Sequence, residues 1–153
     1  MPSFTFPPEP DRDLLEALGL LLPVTLTVPV PLKRYLENQG FEPHAAKSGY
    51  ALVDTGAAMS AVADRVMQEL DIPPLEQRET MTPHGIGYSK TYNASASFPT
   101  LSYMDVVLEG ASGSYLGEAE DGQPELIMLI GRDLLRHLVI HYDGPNGRAT
   151  ITL

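Results

Sequence analysis

Residues Tyr50 to Ala57 read Tyr-Ala-Leu-Val-Asp-Thr-Gly-Ala, an apolar run that delivers one carboxylate, Asp54, into a tight turn. A carboxylate at the end of an apolar strand is partly desolvated, and its charge is costly there unless a neighbour shares or stabilises it. A second carboxylate holding one proton in common with the first meets that need. Such a pair can both accept and donate a proton, which is general acid–base chemistry. The 153-residue chain has one Asp-Thr-Gly and no second copy. The second Asp must therefore come from another chain.

Other chemistry-bearing side chains carry less. His137 and His141 are four apart, a zinc-ligand spacing on a helix, but Leu138-Val139-Ile140 between them reads as a strand, where two such residues stand too far apart to grip one ion. Ser60 lies close after the turn with no His in the motif, so a backbone hydrogen bond is the expected use of its hydroxyl rather than nucleophilic attack. His84 at a turn either touches a substrate or is solvated. Tyr88 and Tyr92 either line a pocket or cover a strand face. No cofactor and no metal is implied.

The elements that must position Asp54 are mainly strands and turns, punctuated by 14 Pro and 13 Gly. This favours an all-β domain with one or two short helices in the catalytic part. Asp11 caps an expected helix that stops at Gly19. Val24, Leu26, Val28 and Val30 alternate with Thr25 and Thr27, the period of a strand with one buried face. Pro31 to Asn38 reads as a turn or two of helix. Tyr50–Val53 and Ala57–Val62 flank the Asp54 turn, and Ala61–Leu70 carries Val62, Val66 and Leu70 at helical spacing until Pro73-Pro74. Residues 78–98 form a hairpin around Pro83-His84-Gly85-Ile86-Gly87. Leu101–Leu108 is a strand, and Glu109 to Pro124 an acidic, solvated loop. Leu126 to Ile130 is a buried strand that Gly131 breaks before a short helix at Arg132-Asp133-Leu134-Leu135. Val139–Tyr142, a turn at 143–147 and Ala149–Leu153 close the chain.

Composition narrows the partners. A hydrophobic content of 43% suits a globular core, and 20 Asp and Glu against 10 Lys and Arg leave a formal charge of −10. That field repels phosphate backbones and anionic lipid, so nucleic acid and membrane are not expected partners. The uncharged run Ala17 to Leu32 contains Pro23, Pro29 and Pro31 and falls short of the about 20 residues of a spanning helix. With no cysteine and no targeting segment, a cytoplasmic location is expected.

Asp54-Thr55-Gly56-Ala57, the glycine-bearing hairpin from Pro83 to Tyr88, and Leu129-Ile130-Gly131-Arg132-Asp133-Leu134-Leu135 occur in the order seen in retroviral-type, retropepsin-like aspartic proteases. The chain resembles a bacterial single-domain relative of these enzymes over residues 24 to 153. The resemblance implies an N-terminal extension at 1–22 and a protease domain at 23–153 folded as a small closed β-barrel. It implies a homodimer with one Asp54 per subunit on the two-fold axis, terminal strands Val24–Val30 and Ala149–Leu153 at the interface, and flaps over a peptide or protein substrate. In such enzymes the paired carboxylates activate a water. Thr55 reaches across the axis in the family, and Gly56 allows backbone and substrate to approach closely. Ala57 stands where two-domain relatives carry Ser or Thr, so an optimum at weakly acidic to neutral pH is expected.

Two departures bear on the resemblance. Many viral members carry Asp four residues after the catalytic one, where this chain has Ala58. Arg132 then needs another partner, either Asp133 or a carboxylate of the second subunit. The stretch Pro31 to Lys47 also has no close parallel in minimal viral enzymes. The expected function is a homodimeric aspartic endopeptidase. The alternative is a catalytically silent retropepsin-like module that binds peptides as a dimer.

Overall fold

The computed structural model of the protein describes residues 1–43 and 45–153 and, of Thr80 and Thr82, the backbone alone. His44, within the stretch Pro31 to Lys47, lies outside the described residues. The fold is mostly β. Its strands are β1 (Ser3–Phe6), β2 (Leu21–Thr27), β3 (Lys47–Val53), β4 (Ala61–Ala63), β5 (Glu76–Thr82), β6 (Gly85–Phe98), β7 (Tyr103–Ser114), β8 (Leu126–Ile130), β9 (Val139–Asp143) and β10 (Arg148–Thr152). Four short α-helices punctuate them among the described residues: α1 (Arg12–Leu18), α2 (Val30–Asn38), α3 (Asp64–Glu69) and α4 (Arg132–Leu135). Three of them, α2 to α4, lie in the part for which one or two were expected, although each of the four segments was read as helical.

Seven strands pair in the order β2-β3-β8-β4-β7-β6-β5, and an extra pairing of β2 with β6 closes six of them into a hydrogen-bonded ring. The sequence pattern explains why the ring holds a core. In β2, Leu22, Val24 and Leu26 are buried while Pro23, Thr25 and Thr27 are half-exposed, the expected alternation. Each such side chain contributes roughly 1.5–3 kcal/mol by leaving water. In β8, Ile127, Met128 and Ile130 are buried. Both neighbours of β8 lie inside the ring, so its sequence is a continuous apolar run rather than an alternation.

A second sheet, β1-β10-β9, joins the N-terminal segment to the C-terminal hairpin. Residues 1–22 are thus woven into the fold: β1 pairs with β10 in antiparallel register, and Leu15 of α1 is buried. The Asp11 amide donates to the Gly147 carbonyl at 3.1 Å, and the Asp11 side chain caps α1 through Leu14. Gly147 has φ +65°, and a Cβ there would lie 2.5 Å from the Arg12 nitrogen, so glycine is required both by conformation and by space.

Three expected boundaries shift, each for a tertiary or steric reason. β2 stops at Thr27 and Val30 begins α2, because Pro29 and Pro31 lack the N–H a ladder needs while a proline is tolerated in a helix's first turn. Ala57 to Ser60 is not strand, and Ala61–Ala63 forms β4 ahead of α3. The Gly-rich stretch after Leu108 continues β7 to Ser114 instead of looping out. There β7 gains ladder bonds from both sides, pairing with β4 at Ala61↔Ser112 and with β6 at Thr91↔Ser112. A Cβ on Gly113 would overlap the Asp64 carboxylate and come 2.8 Å from the Tyr92 ring, so the small residue serves a close approach.

Candidate active site

Asp54 stands at the C-terminal end of β3, and Gly131 at the C-terminal end of β8. These two strands pair in parallel, with Val53 beside Ile130. Parallel pairing aligns like ends, so the Asp-Thr-Gly turn and the Gly-Arg-Asp segment emerge side by side although more than 70 residues separate them. The Asp54 amide donates to the Ile130 carbonyl at 2.9 Å. The Arg132 amide donates to the Ala57 carbonyl at 2.9 Å and the Asp133 amide to the Ala58 carbonyl at 3.2 Å.

The carboxylate itself is held from below. Asp54 is half-buried, while Thr55 and Gly56 are exposed. The Gly56 amide donates to Asp54 Oδ1 at 3.0 Å, and the Ala57 amide donates to the Asp54 carbonyl at 3.2 Å. A Cβ on Gly56 would stand 3.2 Å from that same Oδ1, crowding the group it serves. Ala57 offers Asp54 no hydroxyl. Thr55 is exposed, and its hydroxyl makes no hydrogen bond among the described residues.

Within one subunit Arg132 and Asp133 turn to different partners. Arg132 Nη1 donates to the Thr55 carbonyl at 2.8 Å, bracing the outer side of the turn. Asp133 is not its partner. One Asp133 oxygen accepts from the Ser60 amide at 2.9 Å, the Ser60 hydroxyl at 2.7 Å and the Leu134 amide at 3.0 Å. The fully buried Ser60 hydroxyl in turn accepts from the Gly131 amide at 3.0 Å. Gly131 has no room for a side chain: a Cβ would lie 2.5 Å from the Met59 carbonyl carbon. Ser60 was legible as a backbone-bonding hydroxyl, but its link to Asp133 was not, since no local spacing encodes it.

The hairpin residues form a second, separate group. Pro83 and His84 make the turn between β5 and β6, and Gly85 opens β6 at φ +115°, a conformation suited to glycine. Ile86 pairs with Met81 and Tyr88 with Glu79. Pro83, His84, Ile86 and Tyr88 are exposed, and Gly87 is half-buried. Among the described residues, the hydrogen bonds of residues 54–57 run within the turn and to residues 130–132. Tyr92 parts company with Tyr88: it is buried, and its hydroxyl donates to Asp64 Oδ1 at 2.8 Å. Burial and that bond to a carboxylate push the phenol up to about 12.

Sequence reading also missed an ion network that ties α3 to β3 and β8. Arg65 Nη1 meets Glu125 Oε1 at 2.8 Å, and Lys47 Nζ reaches Glu125 at 3.3 Å and Glu69 at 3.4 Å. Burial acts to raise Glu125, but the hydrogen bonds from Arg65 and Lys47 outweigh it and hold the carboxyl below the usual glutamate range. Only the Arg65–Glu69 step of four residues was readable as a helical pair. His137 lies just beyond α4 and His141 within β9, so they share no helix. A cleft of about 590 Å³ runs along α1 against Tyr142 and Gly144 and does not include Asp54. No helix among the described residues is long and apolar enough to cross a membrane. No family model and no curated protein matches the chain.

Proposed function

We propose that the protein is a homodimeric aspartic endopeptidase of the retropepsin-like type, its ring of strands being the barrel of that fold and Asp54 of each subunit one half of the catalytic pair. The observation that carries this reading is the Asp54 turn: a half-buried carboxylate bonded by the Gly56 amide, in a turn whose backbone is tied to α4 and whose outer residues Thr55 and Gly56 are exposed. A turn held rigidly yet open on one side suits a surface that a second copy completes. Arg132 supports the same reading, since its guanidinium holds the turn's shape in the absence of an Asp at position 58.

In the dimer, one water lies between the two carboxylates. The ionised Asp54 accepts a proton from the water as its oxygen attacks the scissile carbonyl, while the protonated Asp54 of the second subunit donates a hydrogen bond to that carbonyl oxygen. Collapse of the tetrahedral intermediate returns a proton to the leaving amine. The Gly56 amide keeps its Asp54 in place throughout, a preorganised donor that needs no rearrangement. The β5–β6 arm, with Met81, Ile86 and Tyr88 exposed on it, offers apolar cover for an extended peptide.

The test is cleavage of an unstructured protein across pH 3 to 8. The wild type is expected to cleave it with an optimum at weakly acidic to neutral pH, and Asp54→Asn to lose on the order of 10³-fold or more of the rate with its assembly and melting temperature unchanged. Activity that persists in Asp54→Asn overturns the reading. A wild type that binds peptides but cleaves none favours the silent peptide-binding module.

A further inference from the structure

A pocket of about 240 Å³ opens where three parts of the chain meet. Pro29, Pro31 and Leu32, at the start of α2, form one part of its lining. Pro73 and Leu75, from the segment joining α3 to β5, form another, and Asn93 of β6 completes it. Local sequence explains why the walls are stiff. Pro29 and Pro31 flank the first residue of α2 and Pro73 follows the end of α3, positions where a ring-locked φ is tolerated. Three pyrrolidine rings therefore line the space with no rotamer freedom to lose when it is filled.

The lining restricts what the pocket can hold. No charged side chain borders it, in contrast to the cleft along α1, which Asp11, Arg12, Asp13 and Glu16 border. An ion would enter without a counter-charge, at a high desolvation cost. An apolar cavity of about 150 Å³ accepts one benzene ring, so a pocket of about 240 Å³ suits a fused pair. Flat rings also match the prolines, whose C–H bonds pack against the negative face of an aromatic system. One polar group adds direction. Asn93 Oδ1 is occupied by the Gly110 amide at 2.9 Å, whereas Asn93 Nδ2 has no hydrogen-bond partner among the described residues. Nδ2 is a donor, so the ligand must bring an acceptor.

The position gives binding a consequence. Leu75 immediately precedes β5, and its amide donates to the Thr91 carbonyl at 2.8 Å. Between Thr91 and its tip, β6 pairs with β5 alone. Asn93 lies two residues from Thr91 on the same strand. A ligand touching Leu32, Leu75 and Asn93 thus ties the root of the β5–β6 arm to α2.

We propose that this pocket binds a small, neutral aromatic molecule of about two fused rings with one hydrogen-bond acceptor, and that its occupation steadies the arm. No residue of the Asp54 turn lines it, and the inference stands apart from the protease reading.

The probe is 1-indanone, which has two fused rings, no charge and one carbonyl. Titrated into the whole isotope-labelled chain, it is expected to move the amide resonances of Leu32, Leu75 and Asn93, with a Kd on the order of 0.1–1 mM. Indane, the same skeleton without the carbonyl, is expected to bind at least fivefold more weakly. Asn93→Asp keeps an oxygen for the Gly110 amide but removes the donor, and should abolish the advantage of indanone over indane. Leu75→Ala, at a side chain 56% exposed, should weaken both ligands several-fold with the circular dichroism spectrum unchanged. Saturating indanone should slow amide hydrogen exchange in residues 76–91 at least threefold, and leave β10 unaffected. Unmoved resonances at these three residues overturn the proposal. So does indane binding as tightly as indanone, or arm exchange that stays unchanged at saturation. None of these readouts requires turnover, so the cleavage assay with Asp54→Asn decides the protease reading separately.

Discussion

The Asp54 turn and the β5–β6 arm are both short, polar and glycine-bearing, yet the fold treats them in opposite ways. The turn is tied to α4 by backbone bonds and by the Ser60–Asp133–Gly131 cluster, whose hydroxyl is fully buried. From Gly85 to Lys90, β6 pairs with β5 alone; from Thr91 onward β7 takes over as its partner and β6 carries buried side chains at Tyr92, Ala94, Ala96 and Phe98. One strand thus changes character at Thr91. Few buried contacts and exposed backbone bonds are the marks of low local stability, and such segments suit substrate entry and closure. In the proposed enzyme, chemistry is placed where geometry is over-determined, and substrate cover where it is not.

Breaking the rigid region has the largest effect. Gly131→Ala forces a Cβ into the Met59–Ser60 backbone and is expected to cost about 3 kcal/mol, lowering the melting temperature by roughly 6–12 °C and displacing Asp54 enough to remove activity. Calorimetry and a cleavage assay check it. Ser60→Ala leaves the buried Gly131 amide without its acceptor and takes one donor from Asp133; about 2 kcal/mol is expected in urea unfolding. A stability loss below a few tenths of a kcal/mol for Ser60→Ala means the cluster does not brace the turn.

The boundary between the two regions is tested at Tyr92. Tyr92→Phe removes the bond to Asp64 and is expected to cost about 1 kcal/mol near neutral pH. The pH dependence has a definite sign. The folded phenol is raised to about 12, above its unfolded value of about 10, so its contribution is complete below pH 10 and is lost as pH rises toward 12. The wild type should therefore lose stability over that window more steeply than Tyr92→Phe, which unfolding curves at stepped pH would reveal. The smallest stability effect belongs to the arm. Ile86→Ala and Tyr88→Ala, at side chains 65% and 66% exposed, should stay within about 0.5 kcal/mol of the wild type while raising KM several-fold. A drop in melting temperature as large as that of Ser60→Ala would show the arm to be part of the rigid frame.

Legibility in the sequence followed the range of the interactions. The β2 alternation, the Asp11 cap, the break at Gly131 and the hairpin tip at Pro83-His84 depend on residues within a few positions of each other, and each was readable. The continuation of β7 through Gly110 and Gly113 was not, because its stability comes from β4 and β6, dozens of residues away. Arg132 and Asp133 were recognised as belonging near the turn, yet their partners, the Thr55 carbonyl and Ser60, were not. All four helical segments were readable, because caps, Pro and Gly stops and apolar spacing act within a few residues.

By itself the sequence determined that each chain carries one Asp-Thr-Gly carboxylate at the end of an apolar strand, which is what motivates the proposal of a second chain. These are matters of residue type and of periods spanning a few residues. Tertiary structure alone decided that β3 and β8 run parallel, so that the Asp54 turn and the Gly131–Asp133 segment share one end. It also decided which strand edges remain free. Closing the ring and capping β10 on both sides satisfies the backbone of distant segments together, and no local pattern states which edge will be left over.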